Sequence, residues 1–352
     1  LYMAYNTRCI GGEFDNTQII KEIVNTRLAL ANLFEKPCYA DKSLHKTMAE
    51  NKEGVYGLLD QLRDAYVPVA REEVRELQEY AESVGFYAQL QGWDWSYYSK
   101  KLKNEKYSIS DDDLRPYFEL EAVKKGVFGL AERLYGIQFV ENKDIQVYNP
   151  EVSAYDVLDA EGNYMAVYYS DFHPRDGKRA GAWMNEFKPQ WMEQDGTDSR
   201  PHIVNVMNLT RAIKNDSVDK PALLTYYDVE TFLHEFGHAL EFYKSFFIDS
   251  EFLSSISMET AEVHSMSMEF FVYPWLDMFF GDKTEEYKFL HIGGAVTFIP
   301  YGTIVDYFQQ SCYDNPDWTP AERNDFFNKI EKEFMPYMTT EGIPALQDGR
   351  RW

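Results

Sequence analysis

The stretch TFLHEFGHAL, residues 231–240, decides how the rest of this chain is interpreted. It places His234 and His238 four residues apart, with Glu235 directly after the first histidine. An α-helix turns about 100° per residue, so the two imidazoles lie one turn apart on one face and can hold one metal ion. Glu235, one position further round, can reach a metal-bound water as general base, which is the HExxH arrangement. By chance, such a pattern occurs in roughly one in a hundred chains of this length.

The residues around this motif predict a buried helix. Asp228 is positioned to act as its N-cap. Gly237 in mid-helix costs roughly 1 kcal/mol in helix propensity, so we expect another element or a substrate to approach closely there. Four apolar residues should bury the helix beside the site: Phe232, Leu233, Phe236 and Leu240.

A zinc site needs a third protein ligand, with a fourth position left for water. A third histidine six residues further on is excluded, because Glu241 and Lys244 occupy the relevant positions. A later helix, SMETAEVHSMSMEFF at 257–271, offers carboxylates instead: Glu259, Glu262 and Glu269. Three carboxylates on one side of an apolar helix favour a nearby cation, although a solvated glutamate face is the alternative.

Composition excludes several classes of partner. The 352 residues carry 58 acidic and 35 basic side chains, a net charge of −23, so nucleic acid and anionic membranes are poor partners. No apolar run approaches the roughly 20 residues that a membrane span needs. Three scattered cysteines predict free thiols in a reducing compartment, hence a cytoplasmic protein, with one long-range disulfide as the alternative. Because the chain opens at Leu1, we expect its start to lie upstream, and a periplasmic location stays open.

Residue periodicity predicts a mainly α (α+β) fold. The first 140 residues are helical by pattern, with helices over 16–34, 52–65, 70–84, 93–102 and 118–136. Between about 144 and 208, alternating β-branched and aromatic residues predict three to five short strands, with a hairpin turn at 161–163. They should form a small antiparallel or mixed sheet beside the HExxH helix. After Pro221 the pattern is again helical almost to the end.

Two motifs together resemble a known family. HEFGH, followed 24 residues later by the glutamate of E-x-x-S-x-x-x-E, is similar to the thimet oligopeptidase family of zinc metallopeptidases. The resemblance implies a Zn²⁺ cofactor bound by His234, His238 and Glu262. It implies a supporting role beside the ligands for Glu269, and Glu259 is a further candidate for that role. His264 is expected only to pack.

The resemblance extends along most of the chain. WDWSYYSKKL and SDFHPRDGKRAGAW in the first two-thirds are similar to dipeptidyl carboxypeptidases, whereas FIPYGTIVDYFQ and GRRW in the last third are similar to oligoendopeptidase F. It implies a helical region, 1–140, that walls a substrate channel, and a zinc-binding catalytic region, 141–352. It also implies that an edge strand near Gly181, Ala182 and Trp183 aligns the backbone of a short peptide substrate.

The expected reaction is hydrolysis of peptide bonds by a metal-activated water with Glu235 as general base. Internal cleavage and removal of C-terminal dipeptides both stay open. The second needs a cation for the substrate carboxylate, and the candidates are Arg175, Lys178 and Arg179. Family members carry a Gly/Tyr/His-rich oxyanion segment beyond the end of this chain, for which the substitutes would be His291, Tyr301 and Tyr307.

A second hypothesis is a non-catalytic zinc-dependent peptide-binding protein, or an inactive fragment without the oxyanion segment. The presence of Glu235 argues against it, because zinc binding alone does not require a general base. The sequence predicts no oligomeric state.

Overall fold

The computed structural model describes residues 1–107, 111–215, 218–245, 256–336, 349–350 and 352. The chain forms two compact units, one of residues 1–109 with 292–352 and the other of residues 110–291. These limits differ from the predicted division at residue 140, and the channel-walling role of 1–140 stays a prediction. Across the described residues, no helix is both long and apolar enough to cross a membrane. The three cysteines, Cys9, Cys38 and Cys312, are free thiols, as expected.

Helices make up most of the described structure. In chain order they are α1 (Tyr2–Asn6), α2 (Thr17–Leu33), α3 (Tyr39–Leu44), α4 (Lys52–Ser83), α5 (Trp95–Tyr107), α6 (Asp111–Leu114), α7 (Leu120–Tyr135), α8 (Tyr226–Ser245), α9 (Met258–Phe271), α10 (Leu276–Phe280), α11 (Thr284–Asp314) and α12 (Pro320–Phe334).

Most predicted helices correspond to observed ones. The two segments predicted over 52–84 form a single helix, α4, which accommodates Pro68 in its interior. α7 ends at Gly136, whose φ of 70° is the left-handed conformation that glycine adopts without strain. The predicted C-terminal helical region is present as α8 to α12, while residues 246–255 and 337–348 lie outside the described part of the chain.

The second unit contains the main sheet. The strands are β1 (Gln138–Glu141), β2 (Ser153–Leu158), β3 (Tyr164–Asp171), β4 (Trp183–Lys188), β5 (Trp191–Met192), β6 (Asp198–Ser199), β7 (His202–Val206), β8 (Ile213–Asn215) and β9 (Val218–Lys220). Five of them form one sheet in the order β1-β2-β3-β7-β4. The β3–β7 pair is parallel and the others are antiparallel, so the predicted mixed sheet is confirmed. β1 begins at Gln138, inside the region predicted to be helical.

The HExxH helix packs on one face of this sheet. Phe236 of α8 contacts Phe139 and Tyr168 of the sheet and Phe128 of α7, with ring centroids 5.2–5.7 Å apart. The opposite face carries a separate apolar cluster, whose buried members are Val152, Ala154, Val167, Tyr169, Val204 and Val206. The alternation of side chains along each strand therefore separates a helix-covered face from a second apolar face.

The start of α8 is fixed by a reciprocal cap. The amide of Asp228 donates to Oγ1 of Thr225 at 3.1 Å, and the amide of Thr225 donates to Oδ2 of Asp228 at 2.8 Å. Thr225 is therefore the N-cap, and the prediction of Asp228 in that role was wrong by three positions. Both residue types cap helices well, and here Asp228 supplies the other half of a capping box. Phe232, Leu233, Phe236 and Leu240 are buried as predicted.

Candidate metal centre

Three predicted ligands converge at the contact between α8 and α9. Oε2 of Glu262 lies 3.1 Å from Nε2 of His234 and 3.6 Å from Nε2 of His238. One ligand atom from each of the three side chains lies within 4.8 Å of the other two. Two imidazole nitrogens and one carboxylate oxygen, all partly buried, form a donor set that suits zinc and leaves a position open.

The convergence depends on a close approach of two helix backbones. A Cβ added at Gly237 would lie 2.6 Å from Cα of Ser265 and 2.8 Å from the backbone oxygen of His264. The predicted close approach at Gly237 is thus confirmed, and the approaching element is α9. The hydroxyl of Ser265 donates to Oε2 of Glu262 at 3.0 Å, so the same contact orients the third candidate ligand.

Glu269 holds His234 from the side away from Glu262. Its Oε1 lies 2.8 Å from Nδ1 of His234. Burial opposes ionisation, but the hydrogen bonds with His234 and His291 outweigh it and lower the pKa of Glu269. Because a carboxylate only accepts hydrogen bonds, Nδ1 of His234 carries the proton and Nε2 is left to bind a metal.

Glu235 lies in an environment suited to a base. Burial raises the pKa of its carboxyl group, and the nearby charge of Glu262 acts in the same direction. The charge of His234 and a backbone hydrogen bond from Met184 act against this rise. A carboxyl group whose pKa is raised toward neutrality is a better proton acceptor during catalysis. Met184 was not singled out from the sequence, since a backbone donor leaves no residue-type signal.

The predicted peptide-aligning segment lies at a sheet edge. Among the described strands, β4 pairs only with β7, and Trp183 is its first residue. Gly181 has a φ of 94°, and its carbonyl oxygen accepts a hydrogen bond of 2.8 Å from Asn208. Ala182 is half-buried between them. The next residue, Met184, connects this edge with Glu235 through the backbone hydrogen bond.

Two of the cations considered for the substrate carboxylate are already occupied. Arg175 donates to both carboxylate oxygens of Asp171, at 2.6 and 2.7 Å. Lys178 donates to the same carboxylate at 2.9 Å and to the backbone oxygen of His173 at 2.8 Å. Asp171 is buried, so Arg175 and Lys178 anchor the loop before β4 and their charges are not available to a substrate carboxylate. Arg179 is exposed.

The remaining predicted residues fall in different places. His264 is exposed on α9, so the expectation that it packs was wrong. Glu259 is also exposed and does not belong to the cluster of His234, His238 and Glu262. His291 is only 1% exposed and both its ring nitrogens are hydrogen-bonded, so its predicted role as an oxyanion donor was wrong. In the first unit, Tyr301 is exposed, and Tyr307 packs on Tyr56 and Phe334.

Comparison with known proteins identifies the family. The model described as peptidase family M3 matches residues 1–346, nearly the whole chain. This chain therefore belongs to peptidase family M3, a family of metallopeptidases. The resemblance drawn from the two sequence motifs is confirmed.

Individual relatives agree with this assignment. Oligopeptidase A of Escherichia coli (strain K12) is 37% identical over 245 residues, 68% of this chain and 35% of that protein. Dipeptidyl carboxypeptidase of Salmonella typhimurium (strain LT2) is 36% identical over 247 residues, again 68% of this chain and 35% of that protein. A solved structure of an oligoendopeptidase F matches 100% of this chain and 51% of its own chain, with a TM-score of 0.60 and 23% identity. This match shows a similar fold. The chain thus spans about a third of these curated relatives.

Proposed function

We propose that this protein hydrolyses peptide bonds in short peptides with a zinc ion held by His234, His238 and Glu262. The observation that carries the proposal is the convergence of their ligand atoms within 4.8 Å, next to Glu235, whose partly buried carboxyl group has a raised pKa. A zinc ion bound there would lower the pKa of a coordinated water to about 7 and polarise a carbonyl group.

The residues of the chain would supply the proton transfers. Glu235 would accept the proton of the attacking water and deliver it to the amine that leaves when the C–N bond breaks. Its raised pKa favours this shuttle, because the carboxyl must both gain and release the proton. The open edge of β4 near Trp183 would align an extended peptide by main-chain hydrogen bonds. The three unpaired cysteines support a reducing, cytoplasmic location.

The test is mass spectrometry of a mixed set of short peptides incubated with the zinc-loaded protein. We expect cleavage by the wild type, and none with Glu235→Gln or with a chelator. Glu241→Gln, on the same helix but outside the ligand cluster, is the matched control and should cleave as the wild type does. The fragments would also distinguish internal cleavage from dipeptide removal.

Zinc binding is measured separately, by competition with a chromophoric chelator. Glu262→Ala should weaken binding, whereas Glu235→Gln should retain it. Full zinc affinity in Glu262→Ala would show that the third ligand is misassigned. Stoichiometric zinc without any cleavage would instead favour the non-catalytic, peptide-binding hypothesis.

A further inference from the structure

A chain of three hydrogen bonds, one buried and two partly buried, extends behind the metal centre, away from Glu262. Nδ1 of His234 lies 2.8 Å from Oε1 of Glu269, and the other carboxylate oxygen lies 3.0 Å from Nε2 of His291. Nδ1 of His291 lies 2.7 Å from the hydroxyl of Tyr273. Four side chains are thus connected, from α8 through α9 to α11 and the short 3₁₀ turn that follows α9.

Hydrogen-bonding capacity permits one simple arrangement of protons in this chain. The carboxylate of Glu269 is an acceptor only, so both imidazoles donate to it. His291 then donates through Nε2 and accepts at Nδ1 from the hydroxyl of Tyr273. His234 donates through Nδ1, and its Nε2 lone pair faces the ligand cluster. Each group in the chain therefore determines the tautomer of the next one.

Packing leaves His291 little freedom. Its side chain is 1% exposed, and its ring lies 4.5 Å from the ring of Phe270 and 6.0 Å from that of Tyr287, between centroids. Oε1 of Glu230 lies 3.5 Å from its Nε2. A buried polar group satisfied at both nitrogens is expensive to move, so Glu269 is held by a nearly fixed donor.

We infer that His291 is a positioning residue of the metal centre, acting through Glu269 on the orientation of His234. Tyr273 in turn fixes the ring of His291. This inference rests on the metal site of the proposed function, but it does not require turnover. Groups that orient a metal-ligating histidine typically contribute 10–100-fold to metal affinity.

The experiment measures zinc affinity by chelator competition in the full chain. His291→Leu removes the donor and should weaken zinc binding by roughly 10–100-fold. His291→Gln places an amide nitrogen near the position of Nε2 and should restore most of that loss. Both variants remove the ring and its packing, so rescue by glutamine alone isolates the hydrogen bond to Glu269. Tyr273→Phe keeps its ring, should fold as the wild type does, and should weaken zinc binding less than His291→Leu.

Several results would overturn the inference. Unchanged zinc affinity in His291→Leu would show that His291 does not act on the metal centre. Equal losses of affinity in His291→Leu and His291→Gln would assign the loss to packing. If His291→Leu failed to fold, Tyr273→Phe would carry the test, and wild-type zinc affinity in that variant would overturn the inference. The ligand-type atoms of Glu230, Glu269 and His291 also lie within 4.8 Å of one another, so two zinc ions per chain would indicate a second metal site instead. A protein that binds zinc but cleaves no peptide would contradict the proposed function and leave this inference standing.

Discussion

Replacing Gly237 with alanine tests the helix contact on which the metal centre depends. Helix propensity alone predicts stabilisation, since alanine in a helix interior is favoured over glycine by about 1 kcal/mol. The structure predicts the opposite. The new Cβ would lie 2.6 Å from Cα of Ser265, whereas ordinary contact begins at 3.4 Å, so the helices would have to separate by about 0.8 Å.

The clash involves backbone atoms and cannot be relieved by rotating a side chain. Overpacking of this kind costs about 1–3 kcal/mol, which equals or exceeds the gain of about 1 kcal/mol in propensity. Metal–ligand distances tolerate changes of only about 0.2 Å, so moving α9 would also displace Glu262 from the shared position. Subtracting the gain in propensity, we therefore expect Gly237→Ala to lower the free energy of unfolding by up to about 2 kcal/mol and to weaken zinc binding at least about tenfold.

Urea unfolding in the presence of a chelator measures the first effect, and chelator competition measures the second. The matched control is Gly129→Ala in α7, where an added Cβ would meet nothing within 4 Å. That variant should be more stable by about 0.5–1 kcal/mol and bind zinc normally. If Gly237→Ala behaved like Gly129→Ala in both measurements, the close approach of α8 and α9 would be refuted.

Three further predictions concern stability. Burial raises the pKa of Asp171, but hydrogen bonds from Arg175, Tyr148 and Lys178 outweigh it and lower the pKa to about 2. The ionised carboxylate therefore contributes about 2 kcal/mol to the free energy of unfolding. That contribution is complete above the pKa of about 3.8 in the unfolded chain and declines as the pH falls toward 2. Urea unfolding should show the stability difference between wild type and Asp171→Asn smaller by about 1 kcal/mol at pH 3 than at pH 6; an equal difference would contradict the assignment. Thr225→Ala should destabilise by about 1 kcal/mol through loss of the α8 cap without changing zinc affinity, and Thr225→Ser should not destabilise. Zinc at 100 times its dissociation constant should stabilise the wild type by about 2.7 kcal/mol, and a thermal melt of Glu262→Ala should show a smaller shift.

Local patterns predicted the parts of the site that are themselves local. The spacing of His234 and His238 places both on one helix face, and this follows from helix geometry alone. Gly237 could be interpreted as a close approach because glycine is otherwise unfavourable in a helix interior. Alternating residues predicted β2, β3 and β7, whereas the edge strand β4 was expected from the family resemblance. β1 was missed because four residues carry too little periodicity.

The family resemblance implied the supporting role of Glu269, but the role of His291 could not be predicted, because its contacts span long sequence separations. His291 meets Glu269 across 22 residues, and no spacing rule connects two helices that are joined by turns. A weak signal did exist, since a histidine inside the apolar run around HIGGAVTFIP requires a hydrogen-bonding partner when buried. The Asp171–Arg175 ion pair was easier to predict from the sequence, because the two residues lie only four positions apart.

The orientation of His234 is determined mainly by a neighbouring helix. Its imidazole lies between two carboxylates of α9, with Glu262 3.1 Å from Nε2 and Glu269 2.8 Å from Nδ1. These two glutamates are seven residues apart, close to two helical turns, so they lie on one face of α9 and bracket the ring. A shift of α9 along its axis would alter both contacts at once. The absence of a side chain at Gly237 allows α9 to pack closely on α8, and His291 holds Glu269 from α11. The metal-binding geometry therefore depends on three helices, although the HExxH motif occupies only one.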